Sequence, residues 1–143
     1  MASELFRESC YNMSMNNEKP AMILVAEDEL DLSGAIKTAL TDAGYDVVVA
    51  NDGEEAWAKC QELAPDLVLL DLNMPKVNGL EVLRAIREDA ELGQTLVTIL
   101  TAYDNISNIA EVTEIGGMKT DFLTKSDHSL EQIVKHVRQR LGA

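Results

Sequence analysis

Residues 67–79, LVLLDLNMPKVNG, carry the pattern that most clearly indicates the fold class. Four consecutive apolar residues end at an acidic residue, Asp71, and a loop containing Pro75 and Gly79 follows before the next apolar periodicity. A short, continuous apolar run bounded in this way is typical of a strand that is covered on both faces. Such a strand needs helices on either side of its sheet, and the flanking sequence supplies them.

The same alternation of strand and helix extends along the chain in both directions. Apolar strand patterns occur at residues 21–26, 46–50, 67–70, 96–100 and 122–124. Each is followed by apolar residues at helical spacing, so we predict an α/β fold with a doubly wound five-stranded parallel sheet and helices on both faces. We assign this domain to residues 21–143. Residues 1–20 are polar without a sustained period, and we expect them to form a flexible N-terminal tail.

Composition and charge exclude several classes of protein. Asp and Glu number 25 against 12 Lys and Arg, which gives a formal net charge of −13. A surface this acidic repels DNA, RNA and anionic lipid, so we expect no direct nucleic-acid binding. No apolar run is long enough to cross a bilayer, and the first twenty residues lack the apolar stretch of a secretory signal. We therefore expect no membrane insertion and a cytoplasmic location.

Chemically active side chains follow the predicted strands. The carboxyl ends of parallel strands meet at one edge of the sheet, where open α/β folds form their sites. The residues at these ends are Glu27, Asp28 and Glu29, then Asp71, Thr101 and Lys125. Clustered carboxylates raise one another's pKa unless a cation intervenes, and oxygen ligands without His or Cys favour Mg²⁺ or Mn²⁺. A carboxylate beside such an ion, a lysine and a threonine is suited to attack a phosphoryl group.

The order of these residues resembles the receiver domain of bacterial two-component response regulators. The resemblance rests on Glu27-Asp28, residues 71–79, Thr101-Ala102 and residues 121–125. It covers the chain from about residue 21 to residue 141, and it implies a flavodoxin-like sheet with strand order 2-1-3-4-5. It also implies a switch that accepts a phosphoryl group, not an enzyme in the usual sense, with self-phosphorylation and self-dephosphorylation as its only reactions.

The resemblance implies a role for each matching residue. Asp71 would accept the phosphoryl group from a partner histidine kinase or phosphotransfer protein. Asp28 and Asp71 would bind Mg²⁺ through their carboxylates. Asn73 would bind it through its backbone carbonyl, and Glu27 would act indirectly, through metal-bound water. Lys125 would pair with the phosphoryl oxygens.

Two further residues would convert phosphorylation into a signal. Thr101 would move to hydrogen-bond the phosphate, and the rotation of Phe122 would accompany that shift. The surface of the fourth helix, fifth strand and fifth helix would then change shape for an unidentified protein target. Since the chain stops two residues after Leu141, we expect a stand-alone receiver.

Ser126 departs from the family pattern, which usually has a proline after the lysine. A cis bond without proline costs about 2.5–4 kcal/mol, so we expect a trans bond between Lys125 and Ser126 and a changed path into the last helix. This departure favours one alternative, a phosphorylation-independent docking module. A Mg²⁺-dependent phosphatase is a second alternative, which Asn73 disfavours because such enzymes usually carry an acid at that position.

Simpler structural interpretations exist for several of these residues. Asp28 could be a helix N-cap, and Glu29 is more often solvated than a ligand. Phe122 could be an ordinary core residue. Cys60 has the pattern of a small core residue, and we expect His136 to lie on the surface.

Overall fold

The computed structural model describes residues 19–101, 109–125 and 129–142, which contain five parallel strands, five α-helices and one 3₁₀ helix, Gly117–Lys119. The strands are β1 Met22–Ala26, β2 Asp46–Ala50, β3 Leu67–Asp71, β4 Leu96–Thr101 and β5 Thr120–Thr124. The helices are α1 Leu30–Asp42, α2 Gly53–Leu63, α3 Gly79–Glu88, α4 Ile109–Gly116 and α5 Leu130–Leu141. The strand order is β2-β1-β3-β4-β5, which confirms the predicted doubly wound α/β sheet.

Some sequence predictions concern residues outside these ranges. The predicted tail up to residue 18, Ala102 and Ser126 lie outside the described residues. The described part has no helix that is both long and apolar enough to span a membrane.

The fifth strand is longer than the apolar pattern indicates, since it begins at Thr120 instead of residue 122. Thr120 and Asp121 pair with Val97 and Thr98 of β4. The hydroxyl of Thr98 donates a hydrogen bond of 2.7 Å to Oδ1 of Asp121. A polar side chain satisfied in this way can lie in a sheet, but a search for apolar runs does not detect it.

Two apolar clusters cover the two faces of the sheet, and β3 contributes to both. Val68 and Leu70 pack in the cluster beneath α2, α3 and α4, whereas Leu67 and Leu69 pack in the cluster beneath α1 and α5. All four side chains are fully buried. Successive side chains of a strand point to opposite faces, so the continuous apolar run reflects a sheet that is covered on both sides.

The first cluster contains Cys60, as the sequence predicts. Its side chain is 1% exposed. Burial raises the pKa of the thiol to about 12, because the thiolate is poorly solvated there. Cys60 is therefore a core residue without thiolate chemistry near neutral pH.

The parallel register brings the predicted site residues to one edge of the sheet. Ala26 pairs with Leu70, so the next residues along each strand, Glu27 and Asp71, lie side by side. On the other side of β3, Asp71 pairs with Leu100 of β4. The backbone N–H of Lys125 donates to the carbonyl of Thr101 at 2.9 Å, which places the end of β5 at the same edge.

Candidate functional site

Three acidic residues form a cluster at the carboxyl edge of the sheet. Glu27, Asp28 and Asp71 each offer a carboxylate oxygen, and these oxygens all lie within 4.8 Å of one another. Glu27 is completely buried and Asp71 is 3% exposed, whereas Asp28 is exposed. The two buried residues are fixed by the ends of β1 and β3, and Asp28 is the solvent-exposed member of the cluster.

Lys125 supplies a positive charge to this cluster. Its Nζ atom lies 2.7 Å from Oε1 of Glu27 and 3.1 Å from Oδ2 of Asp71. Burial alone would lower the pKa of Lys125, but the hydrogen bond to Glu27 and the attraction of Asp71 outweigh it and raise the pKa. The side chain is therefore an ammonium shared between two buried carboxylates.

Each buried carboxylate also accepts a hydrogen bond from a backbone N–H. The N–H of Asn73 donates to Oδ1 of Asp71 at 3.1 Å. The N–H of Glu29 donates to Oε2 of Glu27 at 3.0 Å. Because Lys125 contacts the other oxygen of each group, both carboxylates are held from two sides and their orientation is fixed.

The pKa values of the two buried carboxyls are raised despite these contacts. Burial raises the pKa of Glu27 and outweighs its bonds to Lys125 and to the N–H of Glu29. Burial likewise raises the pKa of Asp71 above its ordinary value, against the bond from Asn73 and the charge of Lys125. The cluster holds three carboxylates, and Lys125 supplies one ammonium to it. A compact set of hard oxygen donors with uncompensated negative charge fits Mg²⁺ or Mn²⁺.

Gly79 fixes the loop that follows the central acidic residue. A Cβ atom at this position would lie 2.3 Å from the backbone oxygen of Asp71 and 2.6 Å from the Cα atom of Leu72. The N–H of Gly79 donates to the carbonyl of Leu72 at 2.9 Å. The first turn of α3 thus packs directly on the end of β3, which explains the glycine in this motif.

Thr101 and Phe122, the predicted switch residues, lie on β4, which is next to β3, and on β5, which is the edge strand next to β4. Thr101 is the last residue of β4 and is 4% exposed. Phe122 is half-buried and packs against the cluster beneath α2, α3 and α4. The movement of these two side chains stays a prediction. The alternative placement of Asp28 at the N-cap of α1 is wrong, because the N-cap residue is Glu29, which makes no side-chain capping bond.

His136 lies at the surface as predicted, but it is half-buried and has a partner that the sequence analysis did not identify. Its side chain is 23% exposed, and its Nε2 atom lies 2.7 Å from Oδ2 of Asp121. The Nε atom of Arg140 lies 3.2 Å from the same oxygen. The four-residue spacing of His136 and Arg140 on one helix face is the signal that could have indicated this shared partner.

Comparison with known proteins places these features in a family. The response regulator receiver domain model matches residues 23–138. The transcriptional regulatory protein TrcR of Mycobacterium tuberculosis is 40% identical over 119 residues, covering 83% of this chain and 44% of its own. The alkaline phosphatase synthesis transcriptional regulatory protein PhoP of Bacillus subtilis is 35% identical over 120 residues, covering 82% of this chain and 48% of its own. The chain thus spans about half the length of these curated relatives.

Solved structures show the same architecture. Chemotaxis protein CheY4 of Vibrio cholerae matches with a TM-score of 0.76 and 30% identity, covering 84% of this chain and 98% of its own. The receiver domain of the Francisella response regulator 1452 matches with a TM-score of 0.74 and 30% identity, covering 85% of this chain and 97% of its own. Both similarities therefore cover more than four fifths of this chain.

Proposed function

Because the chain belongs to the response regulator receiver domains of two-component systems, we propose that Asp71 accepts a phosphoryl group in a Mg²⁺-dependent reaction. The observation that carries this proposal is the position of the Asp71 carboxylate, which is buried beside Lys125 and two further carboxylates. The donor is a phosphohistidine on a partner histidine kinase or phosphotransfer protein. The chain therefore works as a phospho-accepting switch.

The acidic cluster supplies the metal ligands in this proposal. Asp28 and Asp71 would hold the ion with their carboxylates, Asn73 with its backbone carbonyl, and Glu27 indirectly. Mg²⁺ in such a site supplies positive charge that offsets the carboxylates and the phosphoryl oxygens. The orientation of Asp71 does not depend on the ion, since Lys125 and the N–H of Asn73 already hold its two oxygens.

The transfer exchanges one bond at phosphorus for another. A carboxylate oxygen of Asp71 attacks the phosphorus atom, and the bond between phosphorus and the donor's imidazole nitrogen breaks. The imidazole leaves with the electron pair of that bond and takes up a proton. Lys125, 3.1 Å from Oδ2 of Asp71, stays beside the added negative charge, and the hydroxyl of Thr101 donates to a phosphoryl oxygen.

The added phosphoryl group acts as a ligand for one of two conformations. It favours the state that offers both the Thr101 hydroxyl and the Lys125 ammonium, and so it shifts the equilibrium toward that state. Rotation of Phe122 then alters the surface formed by α4, β5 and α5, where a protein target binds. Leu30, which is 70% exposed at the start of α1, offers an apolar contact near the site for the phosphodonor protein.

We do not extend the proposal to nucleic acid. The relatives named as transcriptional regulators are about twice as long as the matched region. The net charge of −13 opposes direct contact with DNA. That the domain acts alone stays a prediction.

Intact-mass measurement with a small phosphodonor tests the proposal. The chain is incubated with acetyl phosphate and Mg²⁺, beside an Asp71→Asn variant and a sample containing chelator. We expect one phosphoryl group to be added to the wild type and none in either control. A folded wild type that gains no mass would contradict the proposal and favour the phosphorylation-independent docking module.

A further inference from the structure

The β2–α2 turn, residues 51–53, contacts both loops that supply the acidic cluster. On the β1 side, Nδ2 of Asn51 donates to the backbone carbonyl of Glu27 at 3.2 Å, and the N–H of Glu27 donates to the carbonyl of Ala50 at 3.0 Å. On the β3 side, the N–H of Gly53 donates to the carbonyl of Pro75 at 3.3 Å. The turn therefore bridges two segments that are far apart in sequence.

The contact with the β3–α3 loop is a contact between backbones. A Cβ atom at Gly53 would lie only 1.6 Å from the carbonyl oxygen of Val77 and 2.5 Å from its carbonyl carbon. Beside it, Nζ of Lys76 lies 3.5 Å from Oδ2 of Asp52. Any side chain at Gly53 must push the two backbones apart, so only glycine fits at this position without a steric clash.

We propose that this turn positions the two loops that carry the metal ligands and so sets the affinity of the site for Mg²⁺. The inference rests on the proposed function. Asn51 holds the backbone of the loop after β1, and Gly53 holds the loop after β3, which carries Asn73. Mg²⁺ demands near-ideal octahedral geometry, and groups that orient its ligands commonly change affinity by about 10–100-fold. Asn51 and Gly53 are positioning residues because neither supplies a ligand.

Substitutions in the turn test this inference by a measurement of binding. Mg²⁺ is titrated calorimetrically into the wild type, Gly53→Ala and Asn51→Ala, and the thermal midpoint of each is measured in chelator. Gly34→Ala is the matched control, because Gly34 is exposed in α1 and a Cβ atom there meets nothing within 4 Å. We expect the dissociation constant to rise by about tenfold or more in Gly53→Ala, by a smaller factor in Asn51→Ala and not at all in the control.

The two readouts separate positioning from a merely structural role. A lower midpoint in chelator with an unchanged dissociation constant in both turn variants would overturn the inference. If Gly53→Ala does not fold, the dissociation constant of Asn51→Ala tests the inference alone. This variant removes one hydrogen bond and does not push two backbone segments apart. A wild type that binds no Mg²⁺ would refute the proposed function itself, whereas unchanged affinity beside a binding wild type refutes only the role of the turn.

Discussion

The Nζ atom of Lys125 lies closer to Glu27 than to Asp71, at 2.7 Å against 3.1 Å. Glu27 is completely buried, although the sequence comparison with receiver domains assigns it only an indirect part in metal binding. The lysine therefore offsets part of the negative charge inside the site before any phosphoryl group arrives. Its loss should affect the stability of the fold as well as the chemistry.

Replacement of Lys125 by Met should destabilise the chain by about 2–4 kcal/mol in chelator. It leaves two buried carboxylates without a cation, and such broken pairs are costly; the lysine side chain is 22% exposed, which moderates the loss. The double variant Glu27→Gln/Lys125→Met should lose less stability than Lys125→Met alone, since Asp71 is then the only buried carboxylate of the pair without its cationic partner. Urea unfolding of the wild type, both single variants and the double variant completes the cycle. Additive losses would show that the pair is not coupled.

Replacement of Asp71 by Asn should stabilise the metal-free chain near neutral pH, because it removes one of two buried carboxylates that share a single ammonium. The folded-state pKa of Asp71 is raised above its ordinary value of 3.8, mainly by burial. The unfolded chain thus ionises first, so this group lowers stability as the pH rises from 3.8 through the folded-state pKa. The increase in stability caused by Asp71→Asn should be small at about pH 4 and larger at about pH 7.

The pH dependence is measured by urea unfolding in chelator. Glu62→Gln is the control, because Glu62 is an exposed carboxylate on α2, and it should shift stability by less than about 0.5 kcal/mol. An Asp71→Asn variant that is less stable than the wild type at neutral pH would show that Lys125 more than compensates the buried charge.

Arg87 joins the end of α3 to the start of β4 and to the turn between α4 and β5. Its guanidinium donates to the carbonyl oxygens of Gly116 at 2.7 Å, Thr95 at 2.7 Å and Gly93 at 3.2 Å and to the hydroxyl of Thr120 at 2.7 Å. Arg87→Met should cost about 2–4 kcal/mol, because partly buried acceptors lose their donors. Arg87→Lys should restore less than half of this loss, since an ammonium cannot reproduce the planar fork.

Thermal and urea unfolding measure the contribution of Arg87. Arg84→Met is a matched control on the same helix, because the Arg84 side chain is exposed, and its effect should stay within about 0.5 kcal/mol. Equal stabilities of the Arg87 and Arg84 variants would contradict the bridging role.

Cys60 should resist alkylation in the folded chain. Its thiol pKa of about 12 leaves almost no thiolate at about pH 8, and its side chain is 1% exposed. Iodoacetamide followed by peptide mapping should label Cys60 only after urea is added. Rapid labelling without urea would mean that α2 opens from the sheet.

The sequence predicts the fold because apolar strand patterns alternate with helical patterns along the chain. It predicts the chemically active edge because the reactive residues follow those strand patterns directly. Asp71 and Lys125 stand directly after apolar strands, so their meeting follows from a parallel sheet alone. The complete burial of Glu27 does not follow, because a pattern of acidic residues after β1 does not say which of them turns inward. Contacts between distant loops cannot be predicted from the local sequence either. Nothing in the residues around Gly53 indicates that Val77 lies against it.

The most direct test of the account is to locate the phosphoryl group. The chain is phosphorylated with acetyl phosphate and Mg²⁺, and the acyl phosphate is then reduced with borohydride, which converts the modified aspartate to homoserine. Peptide mapping should find homoserine at position 71 and at no other position, and none when chelator replaces Mg²⁺. Homoserine at another aspartate, or at position 71 without Mg²⁺, would contradict the proposal that Asp71 is the metal-dependent phospho-acceptor.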